Sequence, residues 1–373
     1  MPPPPPPPPP VSPTPPNQGP GQPPVPPAGR IAILGLGQMG LVCAGMLCGR
    51  DRSGPLPKVT MWGHSAEEAG RLAQTRSSTK LAGFTLPAAV RVALRDADVV
   101  ADADLIVSAV PVQHIREVWT RLAPHVGPRA GVVSVAKGIE NGTLLRPTQI
   151  ISQVLRDCRV DDPDARPRSV GALSGPTIAV ELARCLPAAM IAASDDAAFA
   201  GLIQQVFGTS WLRVYTNPDV LGVELAGAAK NVIAIAAGVV DGLQAGNNAK
   251  SALLARGLAE ITRLGLAMGA SSDTFFGVAG VGDLATSCFS REGRNRSCGE
   301  ALGRGQKLEA YLASSPYVVE GVATCKSVVE LAVKYRVEMP IASAVHSILF
   351  EDVDPIEAIG QLMSREQKAE RVG

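Results

Sequence analysis

Aromatic residues are scarce: Phe, Trp and Tyr make up 4% of 373 residues. A base-stacking surface for nucleic acid is therefore not expected. Charge of one sign is missing too. Thirty-five Lys and Arg face 34 Asp and Glu, giving a net charge of +1. That leaves no whole-molecule field to attract nucleic acid or an anionic membrane. The four histidines and seven cysteines are dispersed, and no CxxC occurs. No metal site follows from such spacings, and the odd cysteine count suits a reduced, cytoplasmic compartment. The N-terminus has neither a basic n-region nor an apolar h-region, so no secretory signal is read there. The long apolar run at 231–240, between Lys230 and Asp241, is too short to span a bilayer, so no stable membrane insertion is expected.

What is present is apolar and patterned. Hydrophobic residues reach 46%, enough for a sizeable core, and the length suits two or three domains. Residues 1–29 hold 17 of the 32 prolines, nine of them consecutive from Pro2 to Pro10. Polyproline II is their natural conformation and no core can form there, so a disordered tail is expected. A solubilising or incidental tail is the plain reading, and an SH3-like domain is the kind of partner it would otherwise fit.

From Arg30 the texture changes. IAILGLG (31–37), KVTMW (58–62), LIVSAV (105–110), GVVSVAK (131–137), VGALS (170–174), AAMIAAS (188–194) and LRVYT (212–216) read as strands, with helical stretches such as 111–123, 143–157 and 196–207 between them. This alternation predicts an α/β, doubly wound Rossmann-like domain over 30–217 with a largely parallel sheet. After Asn217-Pro218-Asp219 only helices are read, for example 219–240, 248–268 and 322–335. An all-α domain is expected over 218–373, with a site between the two.

Gly35-x-Gly37-x-x-Gly40 follows the first strand and opens a helix, the context in which glycines let a backbone approach a pyrophosphate. The second strand ends at Trp62, Gly63 and His64, with no acid to hold ribose hydroxyls. NADP is therefore permitted beside NAD. Lys137 in AKG and the SGPT segment, with Gly175 and Thr177, each close a strand where a doubly wound sheet faces its ligands.

The stretch VELAGAAKNVIAIAAGVV (223–240) places Lys230 and Asn231 inside an apolar helix. Glu224 and Asn231 are seven apart and share a face. A lysine in a tight, partly dry site can shift toward neutral pH and move a proton. Asp283, ending the glycine-rich FGVAGVGD, can pair with Lys230 from across the cleft. Arg291, Arg294 and Arg296 bring three guanidinium groups within six residues, suited to gripping phosphate. Together these residues suit hydride transfer to the carbonyl of a small phosphorylated ketone, with the lysine stabilising charge on the oxygen.

These motifs resemble the NAD(P)-dependent glycerol-3-phosphate dehydrogenases of the bacterial type, from Arg30 to Glu370. The resemblance rests on GVELAGAAKNVIAIAAGVVDGL…NNAKSALLARGLAEITRLG (222–265), GVAGVGDLATSC…GRNRSCG (277–299), VVEGVATC (318–325) and VEMPI (337–341), with AVP (109–111), AKGIE (136–140) and LSGPT (173–177) in the first domain. It implies reduction of dihydroxyacetone phosphate to sn-glycerol 3-phosphate with NADPH or NADH, supplying phospholipid synthesis. It also implies a homodimer and a helical domain like that of 6-phosphogluconate dehydrogenase.

By that resemblance Lys230 is the general acid/base, and Lys137 and Asp283 act with it. Substrate contacts fall on Lys137, Gly175, Thr177, Lys230, Asn231, Asp283, Gly293, Arg294 and Asn295. Cofactor contacts fall on Gly35, Gly37, Gln38, Met39, Gly40, His64, Lys137, Ala179, Arg294, Val318 and Glu320. Four positions depart from the pattern. Gln38 and Met39 stand where Ser or Ala and an aromatic or Thr-like residue are common. Gly293 replaces a common serine, and His64 stands where many members carry arginine. A ketopantoate- or β-hydroxyacid-type reductase shares the architecture, and a scaffold that has lost catalysis is the reading from another class.

Overall fold

The computed structural model describes residues 29–49, 56–161, 168–315, 317–366 and 369. Residues 1–28 of the expected proline-rich disordered tail, with its SH3-type partner, and Glu370 lie outside the described residues.

Eight strands form one sheet: β1 Arg30–Leu34, β2 Lys58–Trp62, β3 Arg91–Ala93, β4 Leu105–Ser108, β5 Gly131–Ser134, β6 Val170–Ser174, β7 Ala188–Ala193 and β8 Leu212–Asn217. Their order is β3-β2-β1-β4-β5-β6-β7-β8. Every neighbouring pair is parallel except β6 with β7. The chain leaves β6 through a single short helix and does not recross the sheet before β7. It therefore re-enters from the end it left, which dictates antiparallel pairing. The sequence reading located seven of the eight strands. It missed β3, whose three residues are too few to carry a period.

The strands read as unbroken apolar runs because both faces are covered. Ile31, Ile33, Leu105, Val107 and Val133 point into one core, and Ala32, Leu34, Ile106 and Val132 point into the other. The alternation is that of side chains along a strand. The first core is closed by α1 Gln38–Cys48, α2 Ala66–Thr75, α6 Ala179–Ala183 and α7 Ala197–Phe207. The second is closed by α3 Ala97–Val100, α4 Val112–Leu122 and α5 Pro147–Asp157.

The helices after β8 are α8 Val220–Gly242, α9 Gly246–Met268, α10 Ser272–Phe276, α11 Asp283–Phe289, α12 Arg294–Gly303, α13 Leu308–Ser314, α14 Glu320–Tyr335, α15 Pro340–Phe350 and α16 Pro355–Met363. Asp219 starts α8 by accepting the Gly222 amide, at 2.8 Å, and so satisfies one of the free amides of its first turn. α8 is the centre of this unit, packed by α9, α11, α12, α14 and α15. By length and composition it is a helix able to cross a membrane, unlike the shorter run singled out in the sequence. Its apolar stretch is wholly buried inside the protein.

Two polar clamps tie α8 and α14 to the α/β unit. Buried Glu224 receives the Arg146 guanidinium at 2.5 Å, the Thr148 amide at 2.8 Å and the Thr148 hydroxyl at 2.7 Å. Ser327 donates to Asn141 Oδ1 at 2.6 Å. These clamps hold the chain downstream of Lys137, at Asn141 and at Arg146 and Thr148.

Candidate active site

The carboxyl ends of β1, β2, β4 and β5 open onto a cleft of about 680 Å³ whose far wall is helical. The strand order reverses between β1 and β4, and ligands of doubly wound sheets sit at this switch point. The glycine loop lies there. Gly35 has φ +116°, and a methyl on it would collide with the Ala109 carbonyl. A methyl on Gly40 would strike the Gly35 carbonyl, so α1 starts tight against the loop. At Gly37 a methyl would meet nothing within 4 Å. That glycine keeps the mouth of the loop open. α1 begins at Gly37 without a side-chain cap and without an acid in its first turn. An uncapped helix N-terminus beside an open glycine loop is what a pyrophosphate needs, so these residues fit a dinucleotide.

The centre of the cleft is built on Asp283, the first residue of α11, which is 1% exposed. Its Oδ1 accepts from Lys230 Nζ and its Oδ2 from Lys137 Nζ, both at 2.6 Å. Lys230 also donates to Ser287 Oγ at 2.6 Å. Lys137 donates to the Gly175 carbonyl at 2.7 Å and to Thr177 Oγ1 at 3.0 Å. Each ammonium therefore uses protein acceptors on one side while both side chains line the cleft on the other. Two cations on one carboxylate leave a net positive charge at the cleft floor. Burial, aided by the nearby Lys230 charge, pushes the Lys137 ammonium down to about 8, against the pull of Asp283. Glu320, at the start of α14 on the cleft wall, has its carboxyl pushed above the ordinary range by burial, against the pull of Arg294, Lys137 and Lys230.

A chain of carboxamides frames this centre. Asn231 Nδ2 donates to the Lys137 carbonyl at 3.0 Å, and Asn295 Nδ2 donates to Asn231 Oδ1 at 2.9 Å. Asn295 Oδ1 accepts the Gly321 amide at 2.9 Å. Strand end, α8, α12 and α14 are thereby held in one arrangement. Glu224 and Asn231 do share a face, and both reach the α/β unit from it.

Most residues singled out in the sequence meet at this cleft. Gly35, Gly37, Gln38, Met39, His64, Lys137, Thr177, Ala179, Lys230, Asn231, Gly293, Arg294, Asn295, Val318 and Glu320 all line it. Gly40 is packed beneath the loop, and Gly175 offers its carbonyl to Lys137. Asp283 does not reach across the cleft as expected. It lies under the floor, in the same helical unit as Lys230, and holds both lysines from behind. The Gln38 side chain is turned to the Lys80 carbonyl, at 2.8 Å.

The three-guanidinium clamp needs correction. Arg291 is exposed and lies off the cleft. Arg296 spends its guanidinium on Asp241 and Glu300. Arg294 and Arg296 both line the cleft, and Arg294 donates there to the Val318 carbonyl at 3.3 Å. Spacing alone cannot tell a paired guanidinium from a free one. Sequence reasoning missed Ser287, although it lies four residues after Asp283 and hence on the same helical face.

A nucleotide-type α/β sheet, a helical partner unit and a paired lysine centre between them define a dinucleotide-dependent oxidoreductase. More particularly, the chain belongs to the NAD-dependent glycerol-3-phosphate dehydrogenase family. The model of that family's N-terminus matches residues 30–200 and that of its C-terminus matches residues 219–360. The chain is 44% identical to NAD(P)+ glycerol-3-phosphate dehydrogenase 2 of Salinibacter ruber over 342 residues, covering 91% of this chain and 96% of that one. It is 40% identical to the corresponding protein 2 of Mycobacterium tuberculosis, covering 92% and 99%. The crystal structure of glycerol-3-phosphate dehydrogenase from Coxiella burnetii superposes with a TM-score of 0.84 at 31% identity, covering 91% of this chain and all of that one. A ketopantoate reductase from Ralstonia eutropha, at 15% identity and a TM-score of 0.53, shares the fold alone.

Proposed function

We propose that the chain reduces dihydroxyacetone phosphate to sn-glycerol 3-phosphate with NADPH or NADH, and runs the reverse reaction under the opposite gradient. The observation that carries this reading is the Lys137–Asp283–Lys230 bridge at the cleft floor, with Arg294 on the wall above it. The glycine loop and the α1 N-terminus hold the dinucleotide, flanked by His64, Ala179, Val318 and Glu320. When bound, its nicotinamide supplies the hydride.

Lys230 is the proton donor to the ketone oxygen. As negative charge grows on that oxygen, an ammonium already fixed by Asp283 and Ser287 stabilises it without reorganising. In the reverse direction the same nitrogen accepts the proton. Lys137, tied to Gly175 and Thr177, sets the reacting end of the substrate against the strand ends. Arg294 and the nearby Asn295 and Gly293 take the phosphate, for which a planar guanidinium is suited. Gly293 offers only backbone where a serine would add a hydroxyl. Asp283 acts from beneath, orienting both lysines. The α/β unit ends near residue 217 and the helical unit begins at 218. A homodimer, a cytoplasmic setting and a role in phospholipid synthesis complete the reading, in line with the family relationship.

Loss of reduced-nicotinamide absorbance with purified protein tests it, using dihydroxyacetone phosphate and ketopantoate in parallel and each cofactor in turn. Turnover of the phosphorylated ketone alone is expected. Turnover of ketopantoate instead would move the chain to the other reductase class that shares its fold.

A further inference from the structure

At the phosphate side of the cleft, reaching its lining through Arg296, is a second charged cluster that the proposed chemistry does not use. Asp241, at the end of α8, accepts from Lys250 Nζ of α9 at 2.9 Å and 2.7 Å and from Arg296 Nε of α12 at 2.6 Å. Arg296 Nη1 also meets Glu300 at 3.2 Å. Lys250 and Arg296 are 6% and 9% exposed, and the Lys250 ammonium lies 4.9 Å from the centre of the Phe289 ring. Burying the two cations is expensive, while the Asp241 side chain stays 21% exposed. Replacing a buried charged triad by apolar residues of similar volume is often neutral or stabilising. Stability alone is therefore a poor reason for it.

The seam between α8 and α12 gives a better one. Gly238 and Gly242 of α8 face Gly299 and Gly303 of α12, and a methyl on any of them would collide with the other helix's backbone. Backbone lies on backbone, and these contacts already define a register, since a slip would carry side chains into the glycine positions. A slip of one turn would displace α12 by about 5.4 Å. Asn295 would lose Asn231, and Arg294 would leave the cleft wall. Asp241 and Arg296 join the two helices on this seam, so their ion pair reinforces the register that the glycines define. A buried polar contact that fixes register is the best-attested use of such groups.

We infer that Asp241, Arg296 and Lys250 form a register lock and that Arg296 is a positioning residue, setting Arg294 and Asn295 where they meet the substrate's phosphate. Arg296 lines the cleft, but its guanidinium is committed to Asp241 and Glu300, so it acts through its neighbours. The inference rests on the proposed phosphorylated-ketone reaction.

The test is steady-state kinetics with dihydroxyacetone phosphate, together with thermal unfolding, for wild type, Arg296→Met and the apolar triple variant Asp241→Leu/Lys250→Met/Arg296→Met. The expected result is a KM for dihydroxyacetone phosphate at least about tenfold higher in both variants, with kcat within about threefold of wild type. Weakened substrate binding with intact chemistry has that signature. The triple variant is expected to keep the wild-type Tm. An unchanged KM in a folded variant overturns the lock. So does a fall of kcat in step with Tm, or failure of both variants to fold, because each assigns the cluster to stability. A wild type inactive on this substrate but active on another ketone sinks the reaction assignment itself, and the lock's phosphate role with it.

Discussion

Lys137 and Lys230 come from different structural units and meet on one carboxylate, each taking a different oxygen of Asp283 at 2.6 Å. Among the described residues, Asp283 is the carboxylate that both lysines meet. The site is thus a shared counter-ion with two donors over it, and its chemistry depends on which donor is removed.

Removing the Lys230 ammonium takes away the proton donor. Lys230→Ala is expected to lower kcat by about 10²–10⁴-fold, the range for a positioned acid/base. Cofactor binding, followed by fluorescence titration, should change little. Near-normal turnover in this variant would remove Lys230 from the acid/base role.

Lys137 gives a pH dependence. Its pKa lies at about 8, below the ordinary lysine range, because burial disfavours the charged form. It is charged below that pH and neutral above it. Activity that needs the charge to meet an anionic substrate is present at neutral pH and lost as pH rises through about 8. The profile of kcat/KM for dihydroxyacetone phosphate should bend down there, since this parameter reports groups of the free enzyme. Lys137→Arg, which keeps its charge throughout, should lose that bend even if its activity is low. An identical bend in the variant would assign it to another group.

The glycine loop separates space from fold. A methyl at Gly37 meets nothing in the protein, whereas one at Gly40 collides with the Gly35 carbonyl. Gly37→Ala should unfold at the wild-type temperature yet bind dinucleotide more weakly. Gly40→Ala should lose about 1–3 kcal/mol of stability through overpacking. Calorimetric unfolding alongside a cofactor titration distinguishes the two. Equal cofactor affinity for Gly37→Ala and wild type would place the pyrophosphate elsewhere.

Glu224 is the joint between the units. Glu224→Ala leaves the Arg146 guanidinium, 13% exposed, without its carboxylate and the Thr148 amide without its acceptor. Breaking a buried pair from one side costs about 3–5 kcal/mol. Urea unfolding should show that loss. If the joint also sets the cleft, KM for substrate should rise in the surviving folded fraction. A loss under about 1 kcal/mol would show that solvent replaces the carboxylate there.

Composition and order alone determined a good deal of this protein. Apolar strands alternating with helices required a two-faced sheet, because only burial on both sides tolerates runs such as LIVS at 105–108. The spacing Gly35-x-Gly37-x-x-Gly40 placed a tight turn at a helix start, and an isolated lysine in the apolar stretch 223–240 required a partner. That partner, Asp283, was legible because it ends a glycine-rich turn.

Tertiary structure decided the rest, since distance in space is not written in spacing along the chain. β7 runs antiparallel because the link from β6 is too short in helix to recross the sheet. β3 exists only because β2 offers an edge to three residues. Asp283 holds two lysines from below, since α11 starts beneath the cleft floor. Arg294 and Arg296 are alike in sequence and both line the cleft, yet packing of α12 commits the Arg296 guanidinium to Asp241 and leaves that of Arg294 on the Val318 carbonyl. A charge's partner depends on which helices are packed together, and that is settled only when the whole core closes.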